Sequence, residues 1–185
     1  MKIIRELIQR VYYYKFYLKA PKTGKNIKLS SGGKFDHPEE ITMGNNVFIS
    51  NNFHISANNL KIGSNIMVGP NLVIECTNHK SDIVGRSMFE VSYDKISGSV
   101  SIEDDVWLGA NVTILPNTII SEGTVVGAGS VVTKPLPPYS ICLGIPCRPV
   151  KRRFSEAEMK KHLESIKTSK YQFEEILSQW KLFNL

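Results

Sequence analysis

The feature that most constrains this chain is an apolar residue that recurs every six positions through its middle. An α-helix repeats every 3.6 residues and does not produce this spacing, so the period excludes a helical middle. The main ladder comprises Met43, Ile49, Ile55, Ile62, Val68, Ile74, Ile102, Leu108, Ile114, Ile120, Val126 and Val132. A shorter ladder precedes it at Leu29, Phe35 and Ile41.

A period of six is typical of a short strand followed by a tight corner. The strand residues alternate in and out, and the corner needs a residue that accepts unusual backbone dihedrals. Asparagine tolerates the left-handed region better than most residues. The repeat therefore predicts an all-β solenoid, a parallel β-helix with one narrow core, whereas a β-sandwich would show turns about every 8–12 residues. The predicted corner residues include Asn45, Asn46, Asn51, Asn52, Asn58, Asn59 and Asn65.

The N-terminal segment differs from the repeat and predicts a basic helical cap over residues 1–28, ahead of a β-helix over 29–147. Its apolar residues recur at helical spacing, and we expect that stripe to cover the open end of the solenoid. The alternative is a basic amphipathic helix that contacts an anionic membrane. The stripe comprises Ile3, Ile4, Leu7, Val11 and Tyr14.

The C-terminal segment, residues 148–185, predicts a helical extension. Ser155 and Glu158 form a capping box that opens a helix through about Ile166. A second helical stretch runs from Tyr171 to Leu182. We interpret both as packing helices.

Charge is distributed unevenly along the chain. Residues 1–28 contain eight basic groups and one acidic group, or +7, while residues 29–147 contain six and eleven, or −5. Residues 148–185 contain nine and five, or +4. A nucleic-acid-binding protein more often spreads basic groups over its folded face, so this pattern disfavours a nucleic-acid partner.

Two further features bear on the compartment. The three cysteines are odd in number and contain no Cys-x-x-Cys pair, so the sequence supports neither a disulfide framework nor a zinc ribbon. No apolar run approaches the roughly 20 residues of a membrane-spanning helix, and the start is interrupted by charge too early for a signal peptide. We therefore expect a cytoplasmic protein, or one peripheral to the inner face of the membrane.

The ladder stops between Ile74 and Ile102, where an inserted loop over about 77–99 contains a single imidazole, His79. A long loop on a regular solenoid is usually functional or disordered. His79 is therefore the first candidate for chemistry.

The sequence around this break resembles the hexapeptide-repeat acyltransferases, and is most similar to the galactoside, maltose and polysaccharide O-acetyltransferases. The resemblance implies a left-handed β-helix, a homotrimer, and acetyl-CoA as donor in grooves between neighbouring prisms. The matching segments are Ile62-Gly63-Ser64-Asn65 with Thr77-Asn78-His79, Val106-Trp107-Leu108-Gly109-Ala110-Asn111, Val126-Gly127-Ala128-Gly129-Ser130, and Gly144-Ile145-Pro146-Cys147-Arg148.

The same resemblance assigns roles to particular positions. His79 matches the general base that takes the proton of the acceptor hydroxyl, and Asp82 is a candidate to orient its ring. Acceptor contacts map to Asn52, His54 and Trp107, although the family usually has Asn where this chain has His54. Contacts to acetyl-CoA map to Ala110, Ala128, Thr133, Lys134, Arg148 and Lys151, with Arg152 and Arg153 extending the basic cluster.

The sequence therefore predicts an acetyl-CoA-dependent O-acetyltransferase that modifies a hydroxyl of a sugar or cell-surface polysaccharide precursor. The alternatives are an antibiotic or sugar N-acetyltransferase of the same fold and a non-catalytic β-helix binding protein. A zinc-dependent carbonic anhydrase of this fold is disfavoured, because the four histidines lack a spacing suited to zinc, and we expect no metal. These histidines are His37, His54, His79 and His162.

Overall fold

The computed structural model describes residues 11, 13–20, 22–91 and 95–185. The predicted stripe residues Ile3, Ile4 and Leu7 lie outside the described residues. Within these ranges no helix is long and apolar enough to cross a membrane.

Three parallel sheets surround one core, and the chain visits them in the order 1, 2, 3 in each coil. Sheet 1 comprises β1 (Lys22–Thr23), β4 (Ile41–Met43), β7 (Leu60–Ile62), β12 (Val100–Ile102) and β15 (Thr118–Ile120). Sheet 2 comprises β2 (Ile27–Leu29), β5 (Val47–Ile49), β8 (Ile66–Val68), β13 (Trp107–Leu108), β16 (Val125–Val126), β18 (Ser140–Leu143) and the antiparallel β19 (Arg148–Arg152).

Sheet 3 completes each coil, and a two-stranded hairpin follows its third strand. Sheet 3 comprises β3 (Lys34–Asp36), β6 (His54–Ser56), β9 (Val73–Glu75), β14 (Thr113–Ile114) and β17 (Val131–Val132). The hairpin pairs β10 (Thr77–His79) with β11 (Lys95–Ser97) in antiparallel register. The predicted all-β solenoid is confirmed, with about six turns.

The period-six ladder forms the core. Ile49 pairs with Val68, and Leu108 pairs with both Val68 and Val126, so the side chains stack from coil to coil. Every member of the main ladder is at most 5% exposed. Burying one such aliphatic side chain contributes about 1.5–3 kcal/mol, so the stack supplies most of the driving force for folding.

Asparagines in the left-handed conformation turn the chain at the corners. Asn46 and Asn65 occupy equivalent corners in successive coils, and the Asn46 side-chain amide donates to the Asn65 carbonyl oxygen at 2.9 Å. Of the predicted corner residues, Asn46, Asn52, Asn59 and Asn65 have positive φ. Their immediate neighbours lie beside the turn instead, as Asn58 does when it donates to the Gly98 carbonyl.

The solenoid is longer than the predicted range of 29–147. It begins at Lys22, because β1 and β2 already pair in parallel with the strands of the next coil. At the other end β19 adds to sheet 2, so residues 148–152 belong to the sheet and not to the helical extension. The period of six could not predict these two extensions, because it continues neither before Leu29 nor after residue 147.

The N-terminal helix α1 (Tyr14–Lys19) packs against the first coils with a different face from the predicted one. Tyr13 and Phe16 are buried, and Phe16 stacks on Phe35 with 4.2 Å between ring centroids. The predicted stripe residues Val11 and Tyr14 are exposed. The rings of Tyr13 and Phe16 pack on Phe53 and Phe35 at the open end of the core, which explains the choice of face.

The C-terminal helices agree with the prediction. α2 (Glu156–Ile166) begins with the capping box of Ser155 and Glu158, and α3 (Phe173–Leu182) follows. They enclose a second small core, in which the Trp180 ring nitrogen donates to the Pro138 carbonyl at 2.8 Å.

Candidate active site

The hairpin of β10 and β11 carries His79 at the corner between sheets 3 and 1. Its base is fixed by backbone hydrogen bonds from Gly98 to Cys76 at 2.8 Å and from Cys76 to Ser56 at 3.1 Å. His79 lies opposite Lys95 in the ladder, and its side chain is exposed. The hairpin therefore presents an accessible imidazole away from the prism wall.

Asp82 is also exposed, a few residues beyond His79. Within the described part of the chain, no hydrogen bond or ion pair joins the two side chains. The orienting role of Asp82 stays a prediction.

Trp107 lies on the outer face of sheet 2, where its side chain is 51% exposed. It belongs to an apolar row, because Phe48 pairs with Met67, Met67 pairs with Trp107, and Trp107 pairs with Val125. Phe48 and Met67 are exposed as well. These two residues were not predicted as part of the site, although each directly precedes a ladder residue and so points outward.

His79 and Trp107 lie on opposite sides of the same chain. The hairpin leaves the corner between sheets 3 and 1, and in a three-sided prism that corner is opposite the outer face of sheet 2. The solenoid core separates them. One chain alone does not bring the two predicted residues together.

The predicted acceptor residue His54 points outward from sheet 3 and contacts a carboxylate. Its Nε2 atom lies 2.8 Å from Oδ2 of Asp36, and Lys34 Nζ lies 3.0 Å from Oδ1 of the same group. The hydrogen bond from His54, together with Lys34, holds the pKa of Asp36 below its ordinary value. An ionised carboxylate only accepts, so the His54 ring donates to Asp36 through Nε2.

Asn52 turns the chain at the corner between sheets 2 and 3, with φ of 58°. Asn71 and Asn111 occupy the same corner in the third and fourth coils and are joined by a side-chain hydrogen bond of 2.8 Å. Asn52 is exposed, two residues before His54. The two predicted acceptor residues therefore lie side by side.

Two of the predicted donor residues, Ala110 and Ala128, stack in successive coils at this corner. A Cβ atom added to the preceding Gly109 would lie 2.6 Å from the Ala128 backbone nitrogen, so the chain segments are in close contact there. Thr133 and Lys134 lie after β17, at the far edge of sheet 3. The structure thus brings Ala110 and Ala128 together, whereas Thr133 and Lys134 lie on the other side of sheet 3.

The basic cluster at 148–153 divides into two pairs. Arg148 and Lys151 are exposed and make no ion pair with any described residue. Arg153 lies 2.6 Å from Asp105, and Arg152 donates to the Leu185 backbone oxygen at 2.8 Å. The prediction that all four face one ligand is therefore wrong for Arg152 and Arg153, which hold the C-terminal segment.

No three His, Cys, Asp or Glu side chains are grouped to hold a metal ion in the part of the chain that the structure describes. The thiols are buried and unpaired, and burial raises the pKa of Cys142 to about 12.

A family model described as bacterial transferase hexapeptide (six repeats) matches residues 99–134. Among solved structures, a maltose O-acetyltransferase from Clostridium difficile is 28% identical with a TM-score of 0.65, covering 79% of this chain and 87% of that one. A hexapeptide-repeat acetyltransferase from Vibrio cholerae, complexed with acetyl coenzyme A, is 26% identical with a TM-score of 0.71, covering 80% and 79%. The chain contains hexapeptide repeats of the bacterial transferase type over residues 99–134 and shares the fold of these two acetyltransferases.

Curated relatives of this hexapeptide-repeat chain are similar over a shorter stretch. A chloramphenicol acetyltransferase from Morganella morganii is 41% identical over 63 residues, which are 34% of this chain and 30% of that protein. A Staphylococcus aureus (strain Mu50) protein named as an acetyltransferase is 47% identical over 60 residues, which are 32% and 30%. The matched stretch spans less than a third of the length of these relatives.

Proposed function

We propose that this protein is an acetyl-CoA-dependent O-acetyltransferase that modifies a hydroxyl of a sugar or cell-surface polysaccharide precursor. The observation that carries the proposal is the hairpin, which presents the exposed His79 imidazole at the one long break in a regular solenoid. A Vibrio cholerae neighbour of the same fold is complexed with acetyl coenzyme A, which supports the donor.

The proposed reaction is a direct transfer. His79 takes the proton from the acceptor hydroxyl as the oxygen attacks the thioester carbonyl, so a C–O bond forms. The tetrahedral intermediate then collapses, the C–S bond breaks, and the CoA thiolate leaves with the proton from the imidazolium. General-base catalysis of this kind contributes about 10²–10⁴ in rate.

The site is assembled between chains of a homotrimer in this proposal. A closed threefold ring has heterologous contacts, so the His79 side of one chain can face the Trp107 side of the next. Both sides carry exposed apolar groups that a neighbour would cover. Phe89, on the same inserted loop as His79, is 88% exposed, and the row of Phe48 and Met67 runs beside Trp107.

The acceptor is a sugar in this proposal because the predicted acceptor residues combine two kinds of contact. The Trp107 ring offers a flat apolar surface that suits the C–H face of a pyranose. His54, fixed by Asp36, and Asn52 offer hydrogen-bonding groups suited to hydroxyls. The maltose O-acetyltransferase from Clostridium difficile, whose fold this chain shares, supports the same substrate class.

The donor lies along the corner between sheets 2 and 3. Small side chains at Ala110 and Ala128 allow the extended pantetheine arm to approach the backbone closely. The exposed Arg148 and Lys151 are suited to bind the phosphates of the nucleotide, because guanidinium and ammonium groups form charge-assisted hydrogen bonds with phosphate. Thr133 and Lys134 contact the donor from across sheet 3.

An antibiotic acceptor is the second candidate, supported by the 41% identity to a chloramphenicol acetyltransferase over 63 residues.

A screen of CoA release from acetyl-CoA separates the sugar acceptor from the antibiotic acceptor. The acceptors are maltose, isopropyl thiogalactoside, UDP-linked sugars, glucosamine and chloramphenicol. We expect the highest turnover with a hydroxyl of a sugar. Turnover with chloramphenicol alone favours the second candidate, and CoA that neither binds nor is released contradicts both.

A further inference from the structure

The N-terminal end of the solenoid exposes apolar side chains on α1 and just before it, on the side that does not pack inward. Val11 is 66% exposed, Tyr14 is 51% exposed and Leu18 is 77% exposed. The opposite face is committed to the core through Tyr13 and Phe16. A cap that only closed the solenoid would not need three large apolar side chains in solvent.

Lysines surround this apolar face. Lys22, Lys28 and Lys34 point outward from the three strands of the first coil, one on each sheet. Lys19 at the end of α1 and Lys25 between β1 and β2 are exposed as well. Of these five, Lys34 pairs with Asp36, and Lys19 lies close enough to Glu39 to interact with its carboxylate. The sequence contains no acidic residue from Leu7 to Phe35. The first coil therefore forms a rim in which basic side chains outnumber the carboxylates beside them.

We infer that this end of the molecule docks on an anionic lipid bilayer. The N-terminal platform, defined as Val11, Tyr14, Leu18, Lys19, Lys22 and Lys25, would place its apolar groups among the acyl chains and its lysines among the headgroups. Each lysine near an anionic membrane surface contributes about 1 kcal/mol, and the apolar side chains add their own transfer energy.

The combination of charges and apolar groups selects this partner over two others. A nucleic acid would contact the lysines but has no use for exposed aliphatic side chains between them. A second copy of the same surface would bring two predominantly positive rims together, which repel each other. An anionic bilayer satisfies both features, because its headgroups are negative and its interior is apolar.

The test is co-sedimentation of the full chain with vesicles of phosphatidylcholine alone or mixed with phosphatidylglycerol. One variant combines Val11→Asp with Leu18→Asp, and a second combines Lys19→Glu, Lys22→Glu and Lys25→Glu. A matched control, Lys161→Glu with Lys167→Glu and Lys181→Glu, makes the same charge change on the C-terminal helices. Far-UV circular dichroism and thermal unfolding confirm that each variant is folded.

We expect binding to the phosphatidylglycerol vesicles only, with a loss of at least about tenfold in both platform variants and little change in the control. Raising the salt concentration from about 0.1 M to about 1 M should weaken binding, because the Debye length falls from about 10 Å to about 3 Å. Equal losses in the control, or equal binding to both vesicles, would overturn the inference. Binding to soluble heparin as strong as binding to the vesicles, and unchanged in the variant with Val11→Asp and Leu18→Asp, would identify the partner as a polyanion and overturn the inference. The assay requires no acetyl transfer, so its outcome is independent of the proposed function.

Discussion

The Nε2 atom of His54 lies 2.8 Å from the carboxylate of Asp36 on the outer face of sheet 3. The two residues occupy neighbouring coils, since Lys34 is the register partner of His54 and Asp36 follows two residues later. The carboxylate fixes the ring orientation without occupying Nδ1. An imidazole held in this way can select an acceptor by the direction of one hydrogen bond.

The first prediction concerns this pair. His54→Asn and Asp36→Asn should each raise KM for the acceptor severalfold and leave KM for acetyl-CoA unchanged, because the pair is proposed to contact only the acceptor. The double variant should be no worse than the worse single variant, since the residues act as a unit. Steady-state kinetics check this, with Glu164→Gln on α2 as control. Additive losses, or losses in donor KM, would contradict it.

A second prediction concerns the thiols. Cys76, Cys142 and Cys147 are buried, and burial raises the pKa of each thiol, so little thiolate forms near pH 8. The native protein should react with an aromatic disulfide reagent far more slowly than free cysteine does, and all three thiols should react in denaturant. Rapid labelling of the native protein would show that the coils open more readily than this packing implies.

A third prediction separates the two halves of the basic cluster. Arg148→Ala with Lys151→Ala should raise KM for acetyl-CoA by about tenfold or more without lowering the thermal midpoint, because both side chains are exposed and form no ion pair within the described chain. Arg152→Ala with Arg153→Ala should lower the thermal midpoint, because these side chains hold Leu185 and Asp105. Acetyl-pantetheine lacks the nucleotide and should be insensitive to the first pair. If instead the Arg148 and Lys151 variant lost thermal stability and the Arg152 and Arg153 variant raised KM for acetyl-CoA, this assignment of roles would be contradicted.

The fourth prediction tests the shared site. His79→Ala and Trp107→Ala should each be inactive, and co-expression should restore activity in mixed trimers. If His79 of one chain meets Trp107 of the next, about a quarter of all sites in a random mixture contain both residues. Tagged chains identify the mixed trimers. Mixed trimers as inactive as their parents would mean that each site is built within one chain.

The repeat could be predicted because burial in a solenoid is a local property. Each ladder residue is buried by its own position in a six-residue unit, so the period alone located twelve core positions from Met43 to Val132. The capping box of Ser155 is equally local and was predicted correctly. Local features of this kind can be predicted without knowing how neighbouring coils are aligned.

The remaining contacts depend on the register between coils and on where the C-terminal segment packs against the solenoid. The period of six predicts neither. Arg153 bonds Asp105 across 48 residues, and Arg152 reaches Leu185 across 33, so both were misassigned to the phosphate cluster. The face of α1 was also predicted wrongly, because Phe35 and Phe53 lie where the buried rings of Tyr13 and Phe16 can pack. Asp36 was missed because its link to His54 requires the register of adjacent coils.

The measurement that tests the central claim most directly is turnover of acetyl-CoA by His79→Ala with the best acceptor from the screen. We predict a loss of about 10²–10⁴ in kcat with unchanged CoA affinity by calorimetry and an unchanged thermal midpoint. The matched control is His37→Asn, which removes a histidine from a left-handed corner that asparagine tolerates. It should retain full activity. A His79→Ala variant with turnover near that of the wild type would contradict the role of His79 and with it the proposed mechanism.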